Sequence, residues 1–271
     1  MLALLIPFLF NLSAIAMLIV LVTCPWTNRV VLGILERGFP DALFRVRSVK
    51  DKRVILTIDD GPSRRTFEIL NLLQRYQARA TFFVHTDSMT AEPPDPTLTG
   101  LIMAGHEVGH HMPRDIASID LPEAEFKVGF LQSHQRLLRE GLEPSWFRPA
   151  GGGFAPHMRE PMRELGYHGK CVLGSLLPWD VFLPLPGLYA RQLALAVFPG
   201  AIMVFHDGAH KDAYDALDED TRVSRTLIAL EAFLLAMVRR GYKVCSLGEA
   251  MSLETLPKDA VSPLREPLAH S

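Results

Sequence analysis

Four short polar clusters sit at the ends of apolar runs, and their residue types could do hydrolytic chemistry. The first is Asp59-Asp60-Gly61-Pro62-Ser63, directly after Val54-Ile55-Leu56-Thr57-Ile58. Adjacent side chains on a strand point apart, so one carboxylate can bind a metal while the other works as a base. The plain alternative is a helix N-cap and turn, which Asp and Ser also favour. The second cluster is Gly105-His106-Glu107-Val108-Gly109-His110-His111, with Asp115 four residues on. Here His106, Glu107 and His110 satisfy H-E-x-x-H, a zinc-protease pattern that needs a helix to bring both imidazoles to one face. Gly105, Gly109 and Pro113 argue against such a helix. The competing reading takes His111 and Asp115 as ligands on a loop beyond a strand. With a strand-end aspartate they make a three-ligand site with positions open to water.

The third cluster is Trp146-Phe147-Arg148-Pro149-Ala150-Gly151-Gly152-Gly153. Its glycines expose backbone N–H groups to an oxyanion or a phosphate, and Arg148 could pair with an aspartate; the plain alternative is a flexible turn. The fourth, Ile202-Met203-Val204-Phe205-His206-Asp207, ends a buried run in a histidine suited to proton donation near neutral pH. A hydrogen-bonded structural histidine is the alternative there. His134 reads as packed on an apolar helix face, and His85, His157, His168 and His210 have no role fixed by spacing.

The elements that must position these clusters follow from periodicity. Short strands are predicted over 54–58, 80–84, 106–109, 145–148, 170–173, 201–205 and 243–247. Helices are predicted over 30–36, 66–76, 98–103, 123–140, 158–165 and 222–240. This alternation implies parallel strands joined by crossover helices, in a barrel or wound sheet with its chemistry at the C-terminal strand ends.

With 271 residues, 48% apolar and 21% charged, the chain suits one sizeable domain plus an appendage. A net charge of −2 without a basic stripe argues against a nucleic-acid partner. Three cysteines make no disulfide framework. Leu2 to Thr23 carries no charge, which predicts a transmembrane helix over 1–23 and a single-pass membrane location. A cleaved signal peptide is the alternative, but a basic n-region and an A-x-A site are both missing. Arg29, Arg37, Arg45, Arg47, Lys50, Lys52 and Arg53 all follow that span. Counting them puts the following domain on the cytoplasmic side, whereas a cell-envelope substrate requires the opposite one, and the side stays open. Residues 24–50 read as a juxtamembrane linker and 254–271 as a poorly ordered tail.

With the four clusters in this order, residues 50–252 resemble the polysaccharide deacetylases of the NodB-homology (carbohydrate esterase 4) family. Thr57-Ile58-Asp59-Asp60-Gly61-Pro62 is similar to the family's T-F-D-D-G-P, and Ala80-Thr81-Phe82-Phe83 to its A-T-F-F. Gly105–His111 is similar to G-H-E-[IV]-G-N-H, Phe147–Gly152 to R-P-P-Y-G, and Phe205-His206 to L-H. The resemblance implies a distorted (β/α)7-type barrel over 51–253. It implies Asp59 as general base, oriented by Arg148, and His206 as general acid. Asp60, His111 and Asp115 would be the metal ligands, with Asp115 where the family usually has a second histidine. Gly151 would serve the oxyanion. Leu177-Pro178-Trp179-Asp180 loosely meets a further motif, which makes Asp180 a partner of His206 and Trp179 a substrate contact.

The implied reaction is metal-assisted removal of N-acetyl groups from a glycan, with a divalent ion: zinc first, and cobalt, nickel or manganese as candidates. Two alternatives stand beside it. One is a membrane zinc protease using His106, Glu107 and His110; the other is an inactive NodB-fold sugar-binding protein. Oligomeric state is not legible.

Overall fold

The computed structural model describes residues 25–178, 180, 185–207 and 219–255. The chain enters through helix α1 (Pro25–Gly38) and a two-residue strand β1 (Ala42–Leu43). The repeating part follows as β2 (Arg53–Gly61), α2 (Thr66–Arg75), β3 (Thr81–Val84), α3 (Pro96–Met103) and β4 (Glu107–His110). It continues with α4 (Glu123–Arg139), β5 (Trp146–Phe147), α5 (Arg159–Glu164), β6 (Lys170–Val172) and α6 (Pro186–Leu195). Strand β7 (Ile202–His206), α7 (Glu219–Arg240), β8 (Lys243–Cys245) and α8 (Leu247–Thr255) complete it.

All strands pair in parallel in the order β1-β6-β5-β4-β3-β2-β7, with β8 against the first half of β2. This is an α/β half-barrel. Isolated bridges Arg45–Ala201 and Leu176–Met203 tie its two edges together.

Alternation along each strand sorts the side chains into two layers. Val54, Leu56, Ile58, Phe82 and Val84 face outward into the cluster shared with the helices, where Phe126, Phe130 and Phe147 pack. Ile55, Phe83, Trp146, Val172, Ile202 and Cys245 form a separate cluster that fills the concave side. Below it, Glu107 accepts hydrogen bonds from Thr81 Oγ1 (2.8 Å), Ser246 Oγ (2.9 Å) and the Gly248 N–H (2.9 Å) at the start of α8. That contact caps a helix 141 residues downstream and closes the floor.

The seven predicted strands and six predicted helices are all present, with ends shifted by a few residues. Sequence periodicity missed β1, α6 and α8, which are short or carry little amphipathic pattern. One expectation is corrected: among the described residues no helix is long and apolar enough to cross a membrane. The single-pass location and the membrane partner are withdrawn. The predicted anchor over 1–23 lies outside the described residues, as do Trp179, His210 and most of the predicted tail.

Candidate active site

The concave layer ends at the C-terminal rim of the sheet in a row of polar residues, each two positions beyond a core residue of its own strand. Ile55 and Thr57 lead to Asp59, Phe83 to His85, Gly109 to His111, Trp146 to Arg148, and Ile202 and Val204 to His206. Parallel register then sets neighbours side by side: Asp59 lies opposite His206, and Val84 opposite His110.

Asp60 breaks the alternation. The register of β2 against β3 shifts between Ile58 and Gly61, and Asp60 takes φ +69°. Aspartate tolerates this left-handed conformation better than most residues. The two aspartates therefore do not point apart, as neighbours on a regular strand would. His111 Nε2 lies 3.3 Å from Asp60 Oδ1 and 3.9 Å from Asp59 Oδ2.

His85 completes a cluster. Its Nε2 is 3.3 Å from Asp60 Oδ1, and its ring stacks on that of His111 with centroids 4.6 Å apart. Ligand atoms of Asp60, His85 and His111 all lie within 4.8 Å of one another, and all three residues are buried. These groups fit a divalent cation. Among the described residues neither ring nitrogen of His85 has a hydrogen-bond partner, a cost that a cation bound at Nε2 would relieve in part. His111 Nδ1 contacts the Arg148 carbonyl at 2.8 Å, so it carries the proton and leaves Nε2 as a lone pair aimed at the cluster. Burial lowers the His111 pKa, but the Asp59 and Asp60 carboxylates and the Arg148 carbonyl outweigh it and raise it.

The resemblance put Asp60, His111 and Asp115 around the metal. The structure brings Asp60 and His111 together with His85 instead. Asp115 lines the same cavity but is not one of the three clustered groups. Sequence reasoning left His85 without a role, although a signal was there: it follows Ala80–Val84 on the same strand face as Thr81 and Phe83.

Two buried pairs flank the cluster. Arg148 is 1% exposed and binds Asp59 Oδ1, the Thr57 hydroxyl (2.8 Å) and the Val172 carbonyl (3.0 Å), while its guanidinium lies 4.3 Å from the Phe83 ring centroid. On the other side, His206 Nδ1 lies 2.9 Å from Asp180 Oδ1, and Asp180 Oδ2 accepts from the His206 N–H (3.0 Å) and Thr226 Oγ1 (2.9 Å). Burial pulls the His206 pKa down, but Asp180, Asp60 and Asp59 together push it up to about 9. Asp59, Asp60, His111, Arg148, Gly151 and His206 line one cavity of about 490 Å³. Gly151 takes φ +72°, and a Cβ there would meet Ala117 Cα at 3.1 Å, so the turn needs glycine.

The H-E-x-x-H residues lie on and just before strand β4, not on a helix. His106 Nδ1 accepts from the Ala80 N–H (3.1 Å), and His110 Nε2 meets Ser133 Oγ in the outer layer, while Glu107 faces the concave floor. A rise of four residue steps along the extended chain sets the two imidazoles about 13 Å apart, too far to share one ion. The zinc-protease reading is set aside.

The molecule is thus an α/β half-barrel with a buried carboxylate–histidine cluster at the C-terminal rim. Residues 47–169 match the polysaccharide deacetylase family model, in agreement with the resemblance carried by the motifs. It is 24% identical over 202 residues to a peptidoglycan-N-acetylglucosamine deacetylase of Bacillus cereus, covering 74% of this chain and 89% of the relative. It is 26% identical over 196 residues to a chitooligosaccharide deacetylase of Bradyrhizobium, covering 71% and 88%. These relatives are named as deacetylases, hydrolases of C–N bonds. Among solved structures, the peptidoglycan deacetylase PdaC of Bacillus subtilis aligns with a TM-score of 0.60 at 20% identity, over 76% of this chain and 93% of that one. A family 4 carbohydrate esterase pseudoenzyme from Bacillus anthracis aligns with a TM-score of 0.64 at 20% identity, over 78% and 68%. Both show the shared fold.

Proposed function

We propose that the chain is a metal-dependent hydrolase that removes N-acetyl groups from carbohydrate. The observation that carries this is the convergence of three sets on one cavity: Asp60–His85–His111, Arg148–Asp59 and Asp180–His206. Asp60, His85 and His111 would hold the ion, which supplies Lewis acidity to the acetamide carbonyl and to a water molecule. One carboxylate and two imidazoles suit zinc, with cobalt, nickel or manganese as competitors.

Asp59 takes the proton of the attacking water, and Arg148 holds the carboxylate in place for it. His206 is protonated at neutral pH and donates from Nε2 to the amine nitrogen, while Asp180 fixes its ring through Nδ1. The water oxygen bonds to the carbonyl carbon, the C–N bond breaks, and acetate and free amine leave. The Gly151 N–H would face the oxyanion, a contribution of about 10²–10³ in rate for one such donor.

The test is acetate release by the full chain from chitooligosaccharides, with metal analysis of the same preparation. Asp59→Asn is expected to lower kcat by about 10²–10⁴ while retaining metal. Unchanged turnover in that variant would remove Asp59 as the base. A sugar-binding protein without activity would bind the oligosaccharide and release no acetate.

A further inference from the structure

The cavity at the candidate site has a second surface that the hydrolytic groups leave unused. Val31, Leu32 and Leu35 of α1, Phe44, and Leu173 and Leu177 beyond β6 make up most of the remaining lining. Apart from the catalytic groups and cluster ligands, its polar side chains among the described residues are Asp115 and Ser175. Ser175 is already spent, because its hydroxyl donates to the Phe44 carbonyl (2.7 Å) and accepts from the Ile202 N–H (2.9 Å).

Helix α1 lies outside the strand–helix repeat, and Glu36 holds it through ion pairs to Arg45 and Arg47. Leu32 is buried, whereas Val31 is 52% exposed, and Val30 and Ile34 carry the apolar surface on to the exterior. A sugar ring bears hydroxyls that would lose water against this wall and gain no partner. A hydrocarbon chain would lose nothing and bury apolar area along it.

We infer that the substrate is amphiphilic: the acylated amine at the catalytic groups carries a hydrocarbon chain that runs along α1. This rests on the hydrolase reading above and names its substrate class. The chain could be a long N-acyl group or an apolar aglycone; the chemistry of the wall is the same for both.

The test measures binding to full-length Asp59→Asn protein by calorimetry, using three probes. These are methyl N-acetyl-β-glucosaminide, octyl N-acetyl-β-glucosaminide and methyl N-octanoyl-β-glucosaminide. At least one octyl compound is expected to bind about tenfold or more tightly than the methyl parent, and which one does so identifies the source of the chain. Val31→Ser and Leu35→Ser, added singly, are expected to shrink that gap. Equal binding of all three probes, or a gap indifferent to both substitutions, overturns the inference. Turnover by the unmodified chain separates the two readings. An octyl preference in binding without any C–N hydrolysis keeps the amphiphile and removes the hydrolase. Acetate release from chitooligosaccharides with no octyl preference does the reverse.

Discussion

At His206, burial and charge pull in opposite directions, and charge wins: the imidazolium persists up to about pH 9. A histidine raised above its unfolded value of about 6.5 contributes stability fully below that pH, and the contribution is lost as pH rises through 9. In the metal-free protein the His206 ring is therefore expected to titrate near pH 9 by NMR. Asp180→Asn should lower that value and move the alkaline limb of kcat to lower pH with it. A limb that stays put would mean that another group donates the proton. His85 carries the second residue-level expectation. His85→Ala should abolish metal uptake by elemental analysis, whereas His106→Ala and Glu107→Gln should lower stability and leave uptake intact. Metal retention in His85→Ala would return the third place to Asp115. Asp59, Asp60, His111, Arg148 and His206 were legible because each stands just past an apolar strand, where chemistry gathers in parallel α/β folds. His85 was not, because a lone histidine after A-T-F-F-V acquires meaning only from the strand beside it.

Among the elements, β2 does most to shape the site, through its bulge. The turn that follows it is latched by Asp207, which is fully buried. Asp207 accepts from the Ser63 hydroxyl (2.8 Å), the Ser63 N–H (3.3 Å) and the Thr66 hydroxyl at the start of α2. Its own N–H donates to the Asp59 carbonyl at 2.7 Å. Gly61 leaves room for the latch, since a Cβ there would meet Asp207 Oδ2 at 2.7 Å. Burial pushes the Asp207 pKa up to about 7, against the lowering effect of its Thr66 and Ser63 donors. The folded state thus holds this proton more tightly than the unfolded chain, whose carboxyl titrates near 3.9. This group's contribution to stability is largest below that pH and declines as pH rises to about 7. Asp207→Asn is expected to flatten this part of the profile in urea titrations; an unchanged slope would mean that Asp207 ionises normally. The long amphipathic helices α2, α4 and α7 were legible from spacing. β1, with two residues, was not, because it is a strand only by pairing with β6.

For the molecule as a whole, the site joins chain segments far apart in sequence, so occupancy should couple to global stability. Zinc at about 100 times its Kd would stabilise the fold by about 2.7 kcal/mol if it binds only the native state. Thermal unfolding should show a rise in Tm on adding zinc, absent in His85→Ala. An equal rise in both would place the ion elsewhere. The strand–helix alternation and the polar rim are written in the amino-acid order, since apolar runs and punctuation are local properties. It also carried the family resemblance, because those motifs are contiguous. It took folding in three dimensions to bring His85 to Asp60 and His111, to turn His106 and His110 to the outer layer, and to make α1 an aliphatic wall of the cavity. Those facts depend on register between strands and on packing across more than 25 residues, which no local pattern encodes.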